Sequence, residues 1–346
     1  MKKRCITLAA IILMLFSLVG CGGNSGNQAQ QDDDPKIQIG FCFDNFVVER
    51  WKRDRDVFVS TAKDLDAEVN IQNANGDVQK QIEHIQYFID QNVDVIVIVP
   101  IEAESLKDIV RKAKDKGIKI IAYDRPIMNA DVDLYISFDN EMVGTLMGQE
   151  MAGSLQAGDK VLMVCGSHDD NNVLEVESGF KMQMQLAEIE IADITYMTNW
   201  QSELVEGYLY ENRDLVNEVQ GIMCGNDDLA REVIHYLSEN RMAGDICVVG
   251  QDADLGGCQL IVSGLQNMTV FKPVEKLAKQ AAECAVILAK EGKYECRDVF
   301  YDGKYNVPYV SLEPIAVTSE NMDEIIIDSG FHLREDVYID TVTAEE

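Results

Sequence analysis

Glu49-Arg50-Trp51, Asp124-Arg125, Asp170-Asn171-Asn172, Asn226-Asp227, Asp252 and Lys272 are the groups in this 346-residue chain best suited to chemistry. They are scattered along the sequence, yet each follows an apolar run that reads as a strand. Carboxylates accept hydrogen bonds from two hydroxyls at once, while Arg, Asn and Lys donate, and charged partners make the stronger bonds. An indole face such as that of Trp51 covers a C–H surface and excludes water from it. Gathered in one place, this set suits a neutral polyhydroxylated ring. Arg50, Arg125 and Lys272 balance Asp124, Asp170 and Asp252, whereas an anionic ligand would leave the acids opposed.

The elements that must position these groups alternate strand and helix. Residues 36–43, 68–72, 93–100, 118–123 and 134–138 read as strands, and 48–65, 77–91 and 103–117 as the helices between them. Ile82, Ile85, Phe88 and Ile89 fall on one helical face, and the β-branched run 93–100 suits a strand buried on both faces. The rhythm restarts with helix 140–156 and strand 160–165. Helices near 173–187, 205–218 and 228–239 and strands 193–198, 221–224 and 246–250 follow. A helix over 273–291 and strands at 299–301 and 309–317 return across the molecule. Such alternation predicts an α/β protein of two Rossmann-like lobes with parallel sheets covered by helices. In open parallel sheets a ligand sits beyond the carboxyl ends of the strands, where all of these clusters lie.

Other readings of the same residues are weaker. A lone Asp-Arg or Asn-Asp at a strand end is more often a helix cap or loop ion pair, and Asp77 and Asp228 are read as caps. Asp252/Asp254 or Asp227/Asp228 could be glycosidase pairs, but alternate or adjacent positions on one strand end diverge. Neither a phosphate loop nor a nucleophile elbow nor a zinc signature is present, so the reading is a binder, not an enzyme, without cofactor or metal. His168 is assigned no role. Cys42, Cys165, Cys224, Cys247, Cys258, Cys284 and Cys296 are odd in number, which rules out a complete intramolecular disulfide set.

The amino terminus reads as an export signal: Lys2, Lys3 and Arg4 precede a short apolar core, shorter than a span of about 20 residues. Leu18-Val19-Gly20-Cys21 resembles a bacterial lipobox, which makes residues 1–20 a lipoprotein signal peptide, Cys21 the lipidation site and 21–35 a flexible tether. Losing residues 1–20 removes three cations and takes the formal charge from −30 to −33. That acidity argues against nucleic acid or an anionic lipid surface as partner.

Several motifs are similar to those of periplasmic-type sugar-binding proteins of the ribose/xylose group, and within them of D-xylose-binding proteins of ABC importers. They are Glu49-Arg50-Trp51 with Asp54-Arg55-Asp56, Gln72-Asn73-Ala74-Asn75-Gly76, Ala122-Tyr123-Asp124-Arg125, Tyr135-Ile136-Ser137-Phe138-Asp139-Asn140, Gly250-Gln251-Asp252-Ala253-Asp254 and Met268-Thr269-Val270-Phe271-Lys272-Pro273. The resemblance, covering about residues 36–332, implies a type I periplasmic binding protein: two lobes with a three-segment hinge near 139–142, 269–273 and 305–310. The N-terminal lobe would comprise 36–140 and 273–306, the C-terminal lobe 141–272 and 307–335, followed by a polar tail 336–346. It implies that Arg50, Asp124 and Arg125 contact the sugar from the N-terminal lobe with Trp51 stacking. Asp170, Asn172, Asn226 and Asp252 would do so from the other lobe, with Lys272 at a crossover. Where such xylose binders carry a second stacking tryptophan, four residues beyond the place of Trp200, this chain has Leu204; Trp200, Tyr208 or an aliphatic wall must serve instead. The implied ligand is a neutral monosaccharide, D-xylose first, with glucose, allose or arabinose as alternatives. The implied partner of this lipid-anchored, extracytoplasmic monomer is an ABC permease, or else a membrane histidine kinase or chemoreceptor. A sugar-responsive repressor is disfavoured because no helix-turn-helix precedes the first strand.

Overall fold

The structure, a computed structural model, describes residues 35–46 and 50–339. The expected signal peptide, the expected lipidation site Cys21, most of the expected tether, Glu49 and residues 340–346 lie outside the described residues. The first half runs β1 (Ile37–Phe43), α1 (Arg50–Asp64), β2 (Ala67–Asn73), α2 (Val78–Gln91), β3 (Val95–Ile98), α3 (Lys107–Asp115), β4 (Lys119–Tyr123) and β5 (Leu134–Phe138). The second half begins with α4 (Asn140–Ser154), β6 (Lys160–Cys165), α5 (Asn171–Leu186), β7 (Glu190–Tyr196), α6 (Glu203–Glu211) and α7 (Arg213–Val216). It continues with β8 (Gly221–Cys224), α8 (Asp227–Glu239), β9 (Cys247–Gln251), α9 (Leu255–Val262) and β10 (Met268–Phe271). The chain ends with α10 (Val274–Glu291), β11 (Asp298–Tyr301), β12 (Asn306–Leu312), β13 (Ile315–Val317) and α11 (Arg334–Val337).

These strands form two sheets, ordered β11-β12-β5-β4-β3-β1-β2 and β13-β10-β9-β8-β6-β7. Only the β11–β12 and β10–β13 pairs are antiparallel. β3 shows why a continuous apolar run works in such a sheet. Val95 and Val97 pack under α1 and α10, while Ile96 and Ile98 meet the α2–α3 side; a strand covered on both faces has no polar side to offer. In the second sheet, α6 and α8 cover one face and α4 and α5 the other. Among the described residues no helix is long and apolar enough to cross a membrane.

The chain passes between the lobes at Asp139, at Lys272–Pro273 and at Glu313–Pro314. The third crossing corrects the expected 305–310. The apolar run 309–317 is two strands, with β12 paired to β5 in the first sheet and β13 to β10 in the second. Pro314 lies at the break, where a residue without an N–H donor cannot sustain a ladder. Residues 307–312 therefore belong to the N-terminal lobe. The polar tail also starts later than expected, because α11 seats Val337, 1% exposed, in an apolar cluster with Ile261 and Ile326.

Candidate functional site

Both sheets point their carboxyl ends at one cavity, lined by Arg50, Trp51, Asp124, Arg125, Asn140, Asp170, Asn172, Val173, Trp200, Asn226, Gln251, Asp252 and Lys272. It encloses about 410 Å³ of empty space, part of it open to solvent. The nine residues that the resemblance assigns to the sugar all line it, together with Asn140, Val173, Trp200 and Gln251, whereas Asn171 and Asp227 of the same clusters do not. Asn140 and Gln251 also sit at element ends, the signal that marked the others.

On the N-terminal side, α1 begins beyond β1 and delivers Arg50 and Trp51. Arg50 lies 2.8 Å from Asp124 Oδ1 and 3.3 Å from Asp54 Oδ1, and its guanidinium rests 4.4 Å over the Trp51 ring. Burial pushes the Asp124 carboxyl up, but Arg50, Lys272 and Arg125 outweigh it and hold it below the ordinary carboxylate value. Behind them, burial raises the Asp54 carboxyl against the pull of Arg50 and the Tyr123 hydroxyl. Asp124 itself adopts a left-handed backbone (φ 66°), a conformation uncommon outside glycine that persists only where neighbours enforce it. Its carbonyl accepts from Ser137 Oγ at 2.6 Å and from Asn172 Nδ2 at 3.0 Å.

Across the cleft, Asp170 caps α5 by accepting from the Asn172 amide at 3.0 Å. Asn226 caps α8 through the Leu229 amide at 2.9 Å. The expected cap Asp228 instead pairs with Arg231 at 2.9 Å; Asp77 does cap α2. Lys272 closes on Asp252 at 2.7 Å. Side chains also join the lobes directly across the cavity: Arg125, held by Asp44 at 2.6 Å, places Nε 2.7 Å from Asp170 Oδ2, and Asn172 Nδ2, besides its bond to the Asp124 carbonyl, reaches Asp124 Oδ2 at 3.3 Å. Among the described groups of the cavity, buried Trp51 Nε1, Asn172 Oδ1 and Gln251 Oε1 have neither a hydrogen-bond nor an ion-pair partner, while Arg125 Nε and Asp252 Oδ1 have only their ion pairs. One orphan donor and two orphan acceptors in a cavity match a ligand that both donates and accepts.

Trp200 is the second aromatic wall. Asn199 and Trp200 are both left-handed (φ 53° and 59°), and the indole donates to Asp170 Oδ2 at 3.3 Å. It lies on Gly166, where an added Cβ would come within 2.3 Å of the ring. Tyr208 is engaged with Asp193 instead, and Leu204 is 42% exposed and outside the cavity. Gly166→Ala is expected to displace the indole and weaken ligand binding by about tenfold, an effect of partly lost stacking. Titration calorimetry with tryptophan fluorescence checks it; native affinity with a native emission spectrum would show that the ring does not matter.

His168 is exposed, its ring 4.8 Å from that of Tyr196, and does not line the cavity. Of the carboxylate pairs weighed for catalysis, Asp227 is buried behind the cavity and Asp228 is tied to Arg231. Among the described residues one group of side chains could share a metal ion, exposed Glu206, His235 and Glu239, and none of them lines the cavity. Among the described residues no disulfide joins two of the seven cysteines.

Two α/β lobes, three crossings and a polar cavity between the strand ends define a two-lobed solute-binding architecture. Residues 39–293 match the family model of the periplasmic binding protein domain, and the chain belongs to that family. It is 39% identical to the D-xylose-binding periplasmic protein of Haemophilus influenzae, over 94% of this chain and 98% of that one. With the Escherichia coli protein of the same name it shares 37% identity over 86% of this chain and 91% of the other. An ABC transporter solute-binding protein from Clostridium phytofermentans, solved with bound β-D-glucose, superposes with a TM-score of 0.77. Identity to it is 26%, over 87% of this chain and 99% of that one.

Proposed function

We propose that this protein captures a neutral monosaccharide, D-xylose first among aldoses, and hands it unchanged to the permease of an ABC importer. The observation that carries the reading is the cavity itself. Two indoles and a ring of planar donors and acceptors surround a space in which three cations face three carboxylates. Apolar faces take the C–H surfaces of a pyranose, and charged groups take its hydroxyls. A phosphorylated sugar would add anionic charge beside Asp124, Asp170 and Asp252, with Asp44 and Asp54 just behind. The D-xylose-binding relatives favour xylose, and the glucose complex keeps other aldoses in contention. The lipobox-like Leu18–Cys21 supports a lipid-anchored protein on the outer side of a membrane.

Calorimetry of the mature protein against D-xylose, glucose, allose, arabinose and a sugar phosphate tests this reading. Heat with a neutral aldose, none with the phosphate, and recovery of unaltered sugar are expected. Silence with every neutral aldose, or a chemically changed product, would overturn it.

A further inference from the structure

Asp227 lies at the first position of α8 and is 1% exposed, yet among the described residues no cation pairs with it. A buried carboxylate without a counter-ion is costly and must be held by donors. Three supply it: Gln266 Nε2 at 2.8 Å on Oδ1, and Thr269 Oγ1 at 2.8 Å with the Asp254 amide at 3.0 Å on Oδ2. The Thr269 hydroxyl also accepts from the Ala253 amide at 3.1 Å, so its own hydrogen must go to Asp227. Both peptide N–H groups that follow Asp252 therefore end on this one carboxylate, one directly and one through Thr269.

That turn needs an anchor. Asp252 and Ala253 are both left-handed (φ 92° and 53°), a conformation alanine rarely adopts. The surroundings are also cut to fit: a Cβ on Gly250 would lie 2.3 Å from Asp227 Oδ1, and one on Gly257 would lie 2.4 Å from Oδ2. We infer that Asp227 is a positioning residue of the ligand site, fixing the strained turn that aims Asp252, and through it Lys272, into the cavity. It acts without lining the cavity itself. The affinity arm of this inference rests on the sugar-binding reading; the anchor does not.

The carboxyl also titrates in a useful range. Burial raises it from 3.8 to about 7; Gln266, Thr269 and the Asp254 amide pull it down, and Asp252 pushes it up. Facing it from β8 is the Cys224 thiol, which burial raises well above its ordinary value. The folded state thus holds a proton that the unfolded chain has released, and this stabilisation fades as pH rises from about 4 to about 7.

The test compares native protein with Asp227→Ala, Asp227→Asn, Thr269→Val, Asp252→Ala and the Asp227→Ala/Asp252→Ala double variant. D-xylose affinity is measured by calorimetry, amide exchange at residues 253 and 254 without sugar, and Tm across pH 4 to 7. Asp227→Ala and Thr269→Val should each weaken binding by about tenfold or more, because buried donors lose their acceptor. Asp227→Asn keeps an oxygen for Thr269 and the Asp254 amide, so it should stay within about threefold of native while losing part of the fall in Tm. The double variant should bind no more weakly than Asp252→Ala alone, since one residue acts through the other. Faster exchange at 253 and 254 in Asp227→Ala and Thr269→Val supports the anchor, and native exchange there overturns it whatever the ligand. Native affinity in both variants, or losses that add to that of Asp252→Ala, overturns the positioning role. A native protein that ignores xylose would count against the sugar reading, and the exchange measurement would still decide the anchor.

Discussion

Arg125→Ala is expected to lower sugar affinity by about a hundredfold and the Tm by several degrees. The guanidinium touches Asp44 and Asp170 and stands 5.7 Å over Trp51, so it closes the cavity and joins the two lobes. Removing it leaves two buried carboxylates without their cation, a loss of about 3–5 kcal/mol for a broken buried pair. About 2.7 kcal/mol is already a hundredfold in binding. Burial already lifts the Asp44 carboxyl above its ordinary value, with Arg125 opposing it. In the variant that value climbs further, the folded state favours the protonated acid, and stability returns as pH falls. Adding Asp170→Asn should restore part of the Tm but not the affinity, because it removes a stranded charge without replacing the ligand's donor. Thermal unfolding at several pH values and calorimetry read both arms. An Arg125→Ala protein of native affinity would remove this residue from the site.

Gly179→Ala should destabilise the fold by about 2 kcal/mol. α4 and α5 touch backbone to backbone: a Cβ on Gly179 would lie 2.0 Å from the Glu141 carbonyl oxygen, and one on Gly144 would lie 1.8 Å from that of Val176. Alanine gains about 1 kcal/mol of helix propensity over glycine, but overpacking against main chain costs about 1–3 kcal/mol, occasionally more. The oxygen belongs to the backbone and cannot swing aside, so the clash wins. Gly153→Ala in α4 is the control. Nothing lies within 4 Å of its Cβ, so only the propensity gain remains. Urea unfolding of the two variants should move in opposite directions; equal midpoints would mean that the helices can part without penalty. Separation would also disturb the site, because α5 carries Asp170 and Asn172 at its start.

What was legible in the sequence has a common physical origin. A polar residue that ends a doubly buried strand has nowhere to point but past the sheet edge, so the groups at Asp124, Asp170, Asn226 and Asp252 could be found from apolar runs alone. Trp200 escaped that rule because two left-handed residues, not a strand end, bring it inward. Residues 309–317 read as one strand because both halves are apolar, and only Glu313-Pro314 records that the halves join different sheets. α9 was missed because Gly256 and Gly257 sit in its first turn, and glycine is a poor helix former. Gly257 is there to admit the Asp227 carboxylate, a requirement of tertiary packing that no local pattern announces.

The crossings also set the order in which this molecule can be finished. The core of the N-terminal lobe joins Phe41, Phe58 and Val97 from the start of the chain to Leu277, Ala281 and Ala285 of α10. Arg53 and Glu275, paired at 3.1 Å, are 222 residues apart. The first lobe to leave the ribosome therefore lacks one wall of its interior until nearly the last fifth of the chain has been made. The second sheet waits longer still for its edge strand β13. Such distant closures make folding slow. If the export signal expected in residues 1–20 operates, slowness has a use: it leaves a long interval in which the polypeptide is still threadable.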